Sequence, residues 1–102
     1  MDTIPAADQV KDFFSQYRLR HYPKGQVLLL NDDIAEHVYY LESGRVRTYD
    51  VSYRGEEIVL NVFKPQAFFP MASALSGQPS AFIYEAETAV EVRQAPAGPT
   101  AL

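Results

Sequence analysis

At 102 residues, 47% of them hydrophobic, the chain is the length of one domain with a single core. The absence of cysteine excludes disulfides, thiolate metal sites and a cysteine nucleophile. A net charge of −4 argues against the basic face that nucleic acid requires, and the longest apolar run, Val27–Leu30, is far too short to cross a membrane.

Residues 5–16 read as a short amphipathic helix. Pro5 suits a first helical turn and Asp8 the acidic N-terminal part, while Val10, Phe13, Phe14 and Tyr17 recur at spacings of three and four to form one apolar face for the core. The segment "MDTIPAADQVKDFF" lacks a basic region followed by an apolar stretch, so no secretory signal is expected and a cytoplasmic location fits. From residue 19 the period changes to two. "LRHY" leads into the turn Pro23-Lys-Gly25, "QVLLL" reads as a largely buried strand, and "NDDIAEH" as a polar connection. The basic group Arg18, Arg20, His21 and Lys24 reads as a solvated strand and turn.

"VYYLES" is the next strand, with Tyr39 and Leu41 on one face. Ser43-Gly44 makes a tight hairpin into "RVRTYDV", where Val46 and Thr48 alternate with Arg47 and Tyr49. After the turn "SYRGEE", the strand "EIVLNVF" is expected to place Ile58, Leu60 and Val62 on one face, and Pro65 ends it. "MASAL" suits one helical turn, broken by Gly77-Gln-Pro79. "AFIYEAET" alternates Phe82, Tyr84 and Ala86 against Ile83, Glu85 and Glu87, and "VEVRQA" turns Val90 and Val92 inward. Seven or eight short strands with regular turns predict an antiparallel sandwich, barrel or jelly roll. "PAGPTAL" lacks periodicity and reads as a tail.

Three segments, in this order, resemble the cyclic-nucleotide-binding domains, most closely the sensor domains of Crp–Fnr-type transcription regulators. "YPKGQVLLLNDDIAEHVYYLESGRVRTY" is similar to the opening strands through Pro23, Gly25, Val27, Asp33, Tyr39, Leu41, Gly44 and Val46. "RGEEIVLNVFKPQAFFP" resembles the hairpin leading into the ligand cassette, and "AFIYEAETAVEV" the closing strands. The resemblance implies a mainly β fold, a double-stranded β-helix jelly roll with a short N-terminal helix and a short cassette helix. It implies a helix at 1–18 packing on the barrel, the barrel at 19–95 and a tail at 96–102. In that family a long dimerisation helix and a winged helix-turn-helix follow the sensor domain. The 102 residues contain neither, which fits a truncated regulator or a standalone domain. Any homodimer is then expected to use the Val10–Tyr17 helix or an exposed strand edge.

The family's cassette runs roughly Pro-Gly-Asp-x-Phe-Gly-Glu, a short helix, then Arg-Ser/Thr-Ala. Glycines let backbone approach the ligand, the helix offers N–H groups to the phosphate, glutamate accepts from the ribose, and arginine neutralises the phosphate. Here Pro65, Phe68 and Phe69 match. Gln66 and Ala67 replace the first Gly-Asp, Pro70 the second glycine, and Met71 the glutamate. The arginine falls at Ser80, or at Pro79 in the alternative alignment, and no Arg or Lys lies between Lys64 and Arg93. Losing both contacts costs roughly 3–6 kcal/mol, or two to four decades in affinity, so cyclic AMP and cyclic GMP are not expected to bind.

Two readings of the remaining aromatic set stand side by side. Phe68, Phe69, Met71, Phe82 and Tyr84 either fill the barrel core or line an apolar pocket. Ala72, Ser73, Ser80 and the N–H groups of the 71–75 turn would complete that pocket, which suits an uncharged or weakly acidic small ligand. The expected mechanism is then allosteric, with binding at 65–82 shifting the C-terminal segment. No cofactor is expected. A cupin-like metal enzyme is disfavoured, because His21 and His37 are the only histidines and lie in different segments. The acidic loop Asp32, Asp33 and Glu36 reads as solvated, and no nucleophile–base arrangement stands out.

Overall fold

A computed structural model describes residues 6–97 of the chain; Pro5 and residues 98–102 of the expected tail lie outside the described residues. Helix α1 (Ala6–Ser15) precedes eight strands: β1 (Leu19–Tyr22), β2 (Val27–Leu29), β3 (His37–Ser43), β4 (Val46–Val51), β5 (Glu57–Phe63), β6 (Phe68–Phe69), β7 (Ile83–Ala86) and β8 (Val90–Pro96). A short helix, α2 (Met71–Ser76), lies between β6 and β7. The strands form two four-stranded antiparallel sheets, ordered β1-β8-β3-β6 and β2-β7-β4-β5. Chain neighbours alternate between the sheets except for β4 and β5, which pair as a hairpin in one sheet, and this is the jelly-roll arrangement the strand spacing predicts.

Alternation decides what lies between the sheets. Leu41, Val46, Val92, Val90, Phe69 and Ala86 are fully buried and touch one another, with Tyr39 at the edge of the same cluster. Val46 and Thr48 both face this interior from β4, as their two-residue spacing requires. Gly44 makes the β3–β4 turn possible. Its φ is +85°, and a Cβ there would stand 2.3 Å from the Ala89 carbonyl oxygen.

Helix α1 seals one flank through Phe14, which packs on Tyr40 and Ala95 with Val10 and Tyr17 beside them. Phe13, expected on that apolar face, is instead half exposed and rests edge-on against Phe14. The larger departure is in β5. Its ladder with β4 shifts register between Thr48 and Tyr49, opposite Asn61 and Val59, so Leu60 is the extra residue of a bulge. The simple alternation of Ile58, Leu60 and Val62 therefore fails. Ile58 and Leu60 are half exposed, and only Val62 and Phe63 approach the core.

Candidate functional site

The segment from Lys64 to Phe82 is built against β3. Gln66 donates its N–H to the Leu41 carbonyl at 2.8 Å, and Leu41 donates to Ala67 at 2.9 Å. Phe68 and Phe69 then pair with Tyr40 and Tyr39 as β6. Gln66 holds φ at +78°, the left-handed conformation that the family's glycine is suited to, so the chain keeps the path without the residue that adopts it freely. Pro70, after a cis Phe69–Pro70 bond, is fully buried and starts α2, which ends at Gly77 in a left-handed cap.

Phe69 points into the barrel, where four rings meet. It stacks on Tyr39 at 5.5 Å, on Phe63 at 5.0 Å and on Tyr84 at 5.7 Å, and Phe63 in turn lies 6.0 Å from Tyr84. Tyr39 and Phe63 contribute as much as the residues of the cassette itself. Burial pushes the Tyr39 hydroxyl up to about 12, helped by nearby Tyr22 and Glu36, and burial also raises Tyr84. Among the described residues Thr48 adds the one discordant atom. Its Oγ1 is buried beside the Tyr84 hydroxyl, near enough to ease that group's ionisation. It lacks hydrogen-bonding geometry with it and has no partner among the described residues. The alternation of β4 placed Thr48 inward, but nothing in the sequence marked its hydroxyl as unsatisfied.

The other cassette residues face elsewhere. Phe68, Met71 and Phe82 are each just over one third exposed, while Ser73 is half-buried on α2. Ala72 is the second residue of α2, and its side chain is outside the described ones. Ser80 is only 3% exposed and is closed on local backbone. Its Oγ donates to the Phe82 carbonyl at 2.7 Å and accepts the Phe82 N–H at 3.2 Å. Its own N–H and C=O bond Asp33 and Asp32, so the acidic loop anchors the end of the cassette. That loop also borders a cavity of about 560 Å³ lined by Leu28, Asp32, Glu36 and His37.

The cations lie outside the barrel. Arg45 pairs with Glu87 at 2.8 Å, Arg93 with Glu42 at 3.0 Å, and Arg47 with both Glu85 and Glu57 at 2.9 Å. Among the described residues no group of three His, Asp or Glu side chains could hold a metal ion, and no helix is long and apolar enough to cross a membrane.

Comparison with known proteins agrees with this architecture. A family model described as the cyclic nucleotide-binding domain matches residues 19–99. Among solved structures, a candidate cAMP-binding regulatory protein from Silicibacter pomeroyi DSS-3 is 30% identical with a TM-score of 0.76, over 87% of this chain and 41% of that one. The Thermus thermophilus catabolite activator protein is 25% identical with a TM-score of 0.74, over 87% and 42%. The c-di-GMP-responsive regulator CLP from Xanthomonas campestris shares the fold at 22% identity and a TM-score of 0.77, over 88% and 44%. A search of curated proteins gives no match. The chain thus spans about two fifths of the length of these regulators. It belongs to the cyclic nucleotide-binding domain family, with the fold of the effector domains of Crp–Fnr-type regulators.

Proposed function

We infer that this chain is a regulatory effector domain of the Crp–Fnr kind that no longer binds cyclic AMP or cyclic GMP. The observation that carries the reading is Ser80. Of the two places where the family's pattern can set an arginine, Pro79 carries no charge and Ser80 is a buried, uncharged side chain whose hydroxyl is already bonded to Phe82. Arg45, Arg47 and Arg93 are held by Glu87, by Glu85 and Glu57, and by Glu42, so these three are not free to replace it. Met71, at the position of the ribose acceptor, offers no oxygen. A cyclic phosphate moved into this barrel would be desolvated without a cation, which is strongly unfavourable.

The four-ring stack of Tyr39, Phe63, Phe69 and Tyr84 supports a filled interior, and the role is binding and regulation, without catalysis or direct contact with nucleic acid or membrane. In this reading residues 19–95 are the regulatory barrel of a cytoplasmic protein. They act by passing a change at 65–82 to whatever follows β8. Calorimetric titration with cyclic AMP and cyclic GMP tests it. No heat is expected at millimolar nucleotide, and micromolar binding of either would overturn the reading.

One observation favours a second reading, in which a small uncharged or weakly acidic ligand enters the barrel. Thr48 Oγ1 is an interior hydrogen-bonding group with no hydrogen-bond partner among the described residues. Thermal shift against organic acids and neutral metabolites separates the two, since a ligand that raises the midpoint and loses its effect in Thr48→Val supports entry.

A further inference from the structure

Strand β5 is the open end of its sheet. It is bonded to β4 on one side, and among the described residues no strand pairs with its other side. Ile58, Val59 and Leu60 are 50%, 51% and 49% exposed, so both faces of its outer half carry apolar side chains into solvent. Edge strands are ordinarily blunted by lysine or proline. Neither occurs between Glu57 and Phe63, where the irregularities are the bulge at Leu60 and the Asn61 Oδ1 that accepts the Val62 N–H at 2.8 Å. Support from β4 is also thin there. Its pairing with β7 ends at Tyr49↔Ile83, so Asp50–Val51 and Glu57–Ile58 stand as a bare two-stranded ribbon, which is marginal by itself.

Charge order along the strand indicates what fits this edge. Glu56 and Glu57 lie at its start and Lys64 just past its end. Glu57 is held by Arg47, whereas among the described residues neither Glu56 nor Lys64 is in an ion pair. A second copy running antiparallel brings the acidic start of each strand against the basic end of the other, and a parallel copy would oppose like charges. We propose that the open edge of β5 is a homodimer surface, two copies pairing antiparallel about a two-fold axis through Leu60. Glu56 of each copy then faces Lys64 of the other. The bulge lies on the axis, and the regular stretches 57–59 and 61–63 run along each other across the interface.

Sedimentation velocity on the 102-residue chain, from about 10 to about 500 μM, is expected to show a reversible monomer–dimer equilibrium. Leu60→Lys, which sets two ammonium groups face to face on the axis, abolishes the dimer while leaving the circular dichroism unchanged. Glu56→Lys and Lys64→Glu each loosen it about tenfold, and the double exchange restores it. Because the chain has no cysteine, Leu60→Cys reports the register directly. It should cross-link under mild oxidation, whereas Ile58→Cys should not, its two Cα atoms being roughly 13 Å apart across the axis. A wild-type chain that stays monomeric throughout this range overturns the proposal. So does a dimer in which Leu60→Cys cross-links no faster than Ile58→Cys.

Discussion

Phe69→Ala is the sharpest probe of whether the barrel interior is closed. The ring is 1% exposed and lies within 5.0–5.7 Å of three other rings, so nothing near it can collapse into the space without unstacking another aromatic. Truncating a phenylalanine so enclosed costs about 3–5 kcal/mol, the lost transfer energy plus a cavity that relaxes poorly. A domain of this size has about 5–15 kcal/mol in all, so the variant should fold with little margin. With a urea slope of about 1–3 kcal/mol per molar, the midpoint should fall by roughly 2 M, read by far-ultraviolet circular dichroism because the chain has no tryptophan. Phe69→Leu, which keeps most of the volume, should lose only about 1–2 kcal/mol. The new cavity is apolar, so benzene should recover part of the loss in the alanine variant and none in the wild type. A cost below about 1 kcal/mol for Phe69→Ala would mean that the ring borders open space, and the filled-interior reading would fail.

Three further outcomes follow from individual residues. The Tyr39 hydroxyl ionises near 12 in the folded chain against about 10 unfolded. Its contribution is therefore complete below pH 10 and is lost as pH rises toward 12. Allowing for partial solvent screening, Tyr39→Phe should remove about 1–2 kcal/mol of that alkaline fall, measured by urea unfolding across pH 9–12. Gly44→Ala meets backbone at 2.3 Å in a left-handed turn and should cost on the order of 3 kcal/mol. Gly25→Ala, also at positive φ but in open space, should cost about 1 kcal/mol, and thermal midpoints compare the two directly. Thr48→Val replaces a buried hydroxyl that has no partner among the described residues and should stabilise by about 1–2 kcal/mol in chemical unfolding. A loss instead would mean that the Tyr84 hydroxyl or a group from solution bonds this oxygen.

Periodicity made most of the barrel legible in the sequence because most of its strands are buried on one face. Tyr39, Leu41, Val46, Val90 and Val92 are inward where the alternation puts them, and the spacing of Val10, Phe14 and Tyr17 yields the sealing helix. At β5 the alternation fails for a definite reason. A bulge moves the pattern by one residue, and in "EIVLNVF" no glycine or proline betrays it. The cassette was legible as a path and in its missing charges. Which rings would meet was not, because Tyr39, Phe63, Phe69 and Tyr84 come from four strands in two sheets. Ser80 shows the same limit: its residue type permits a ligand contact, and only the fold reveals that its hydroxyl is spent on Phe82.

The persistence of the cassette's outline has a physical cause that does not involve a ligand. Gln66 accepts a left-handed backbone that costs a non-glycine residue about 1–2 kcal/mol, yet the turn is kept. What holds it is the exchange of backbone bonds with Leu41, one of the most buried residues of β3, followed at once by the pairing of Phe68 and Phe69 with Tyr40 and Tyr39. Breaking the turn would leave the buried Leu41 N–H and C=O without partners, a larger cost than the strain at one residue. The cassette is thus a structural consequence of β3 as much as a binding device. On the proposed reading, its phosphate contact gives way to Ser80 or Pro79 and its ribose contact to Met71, while Phe69 fills the interior and the chain keeps the fold.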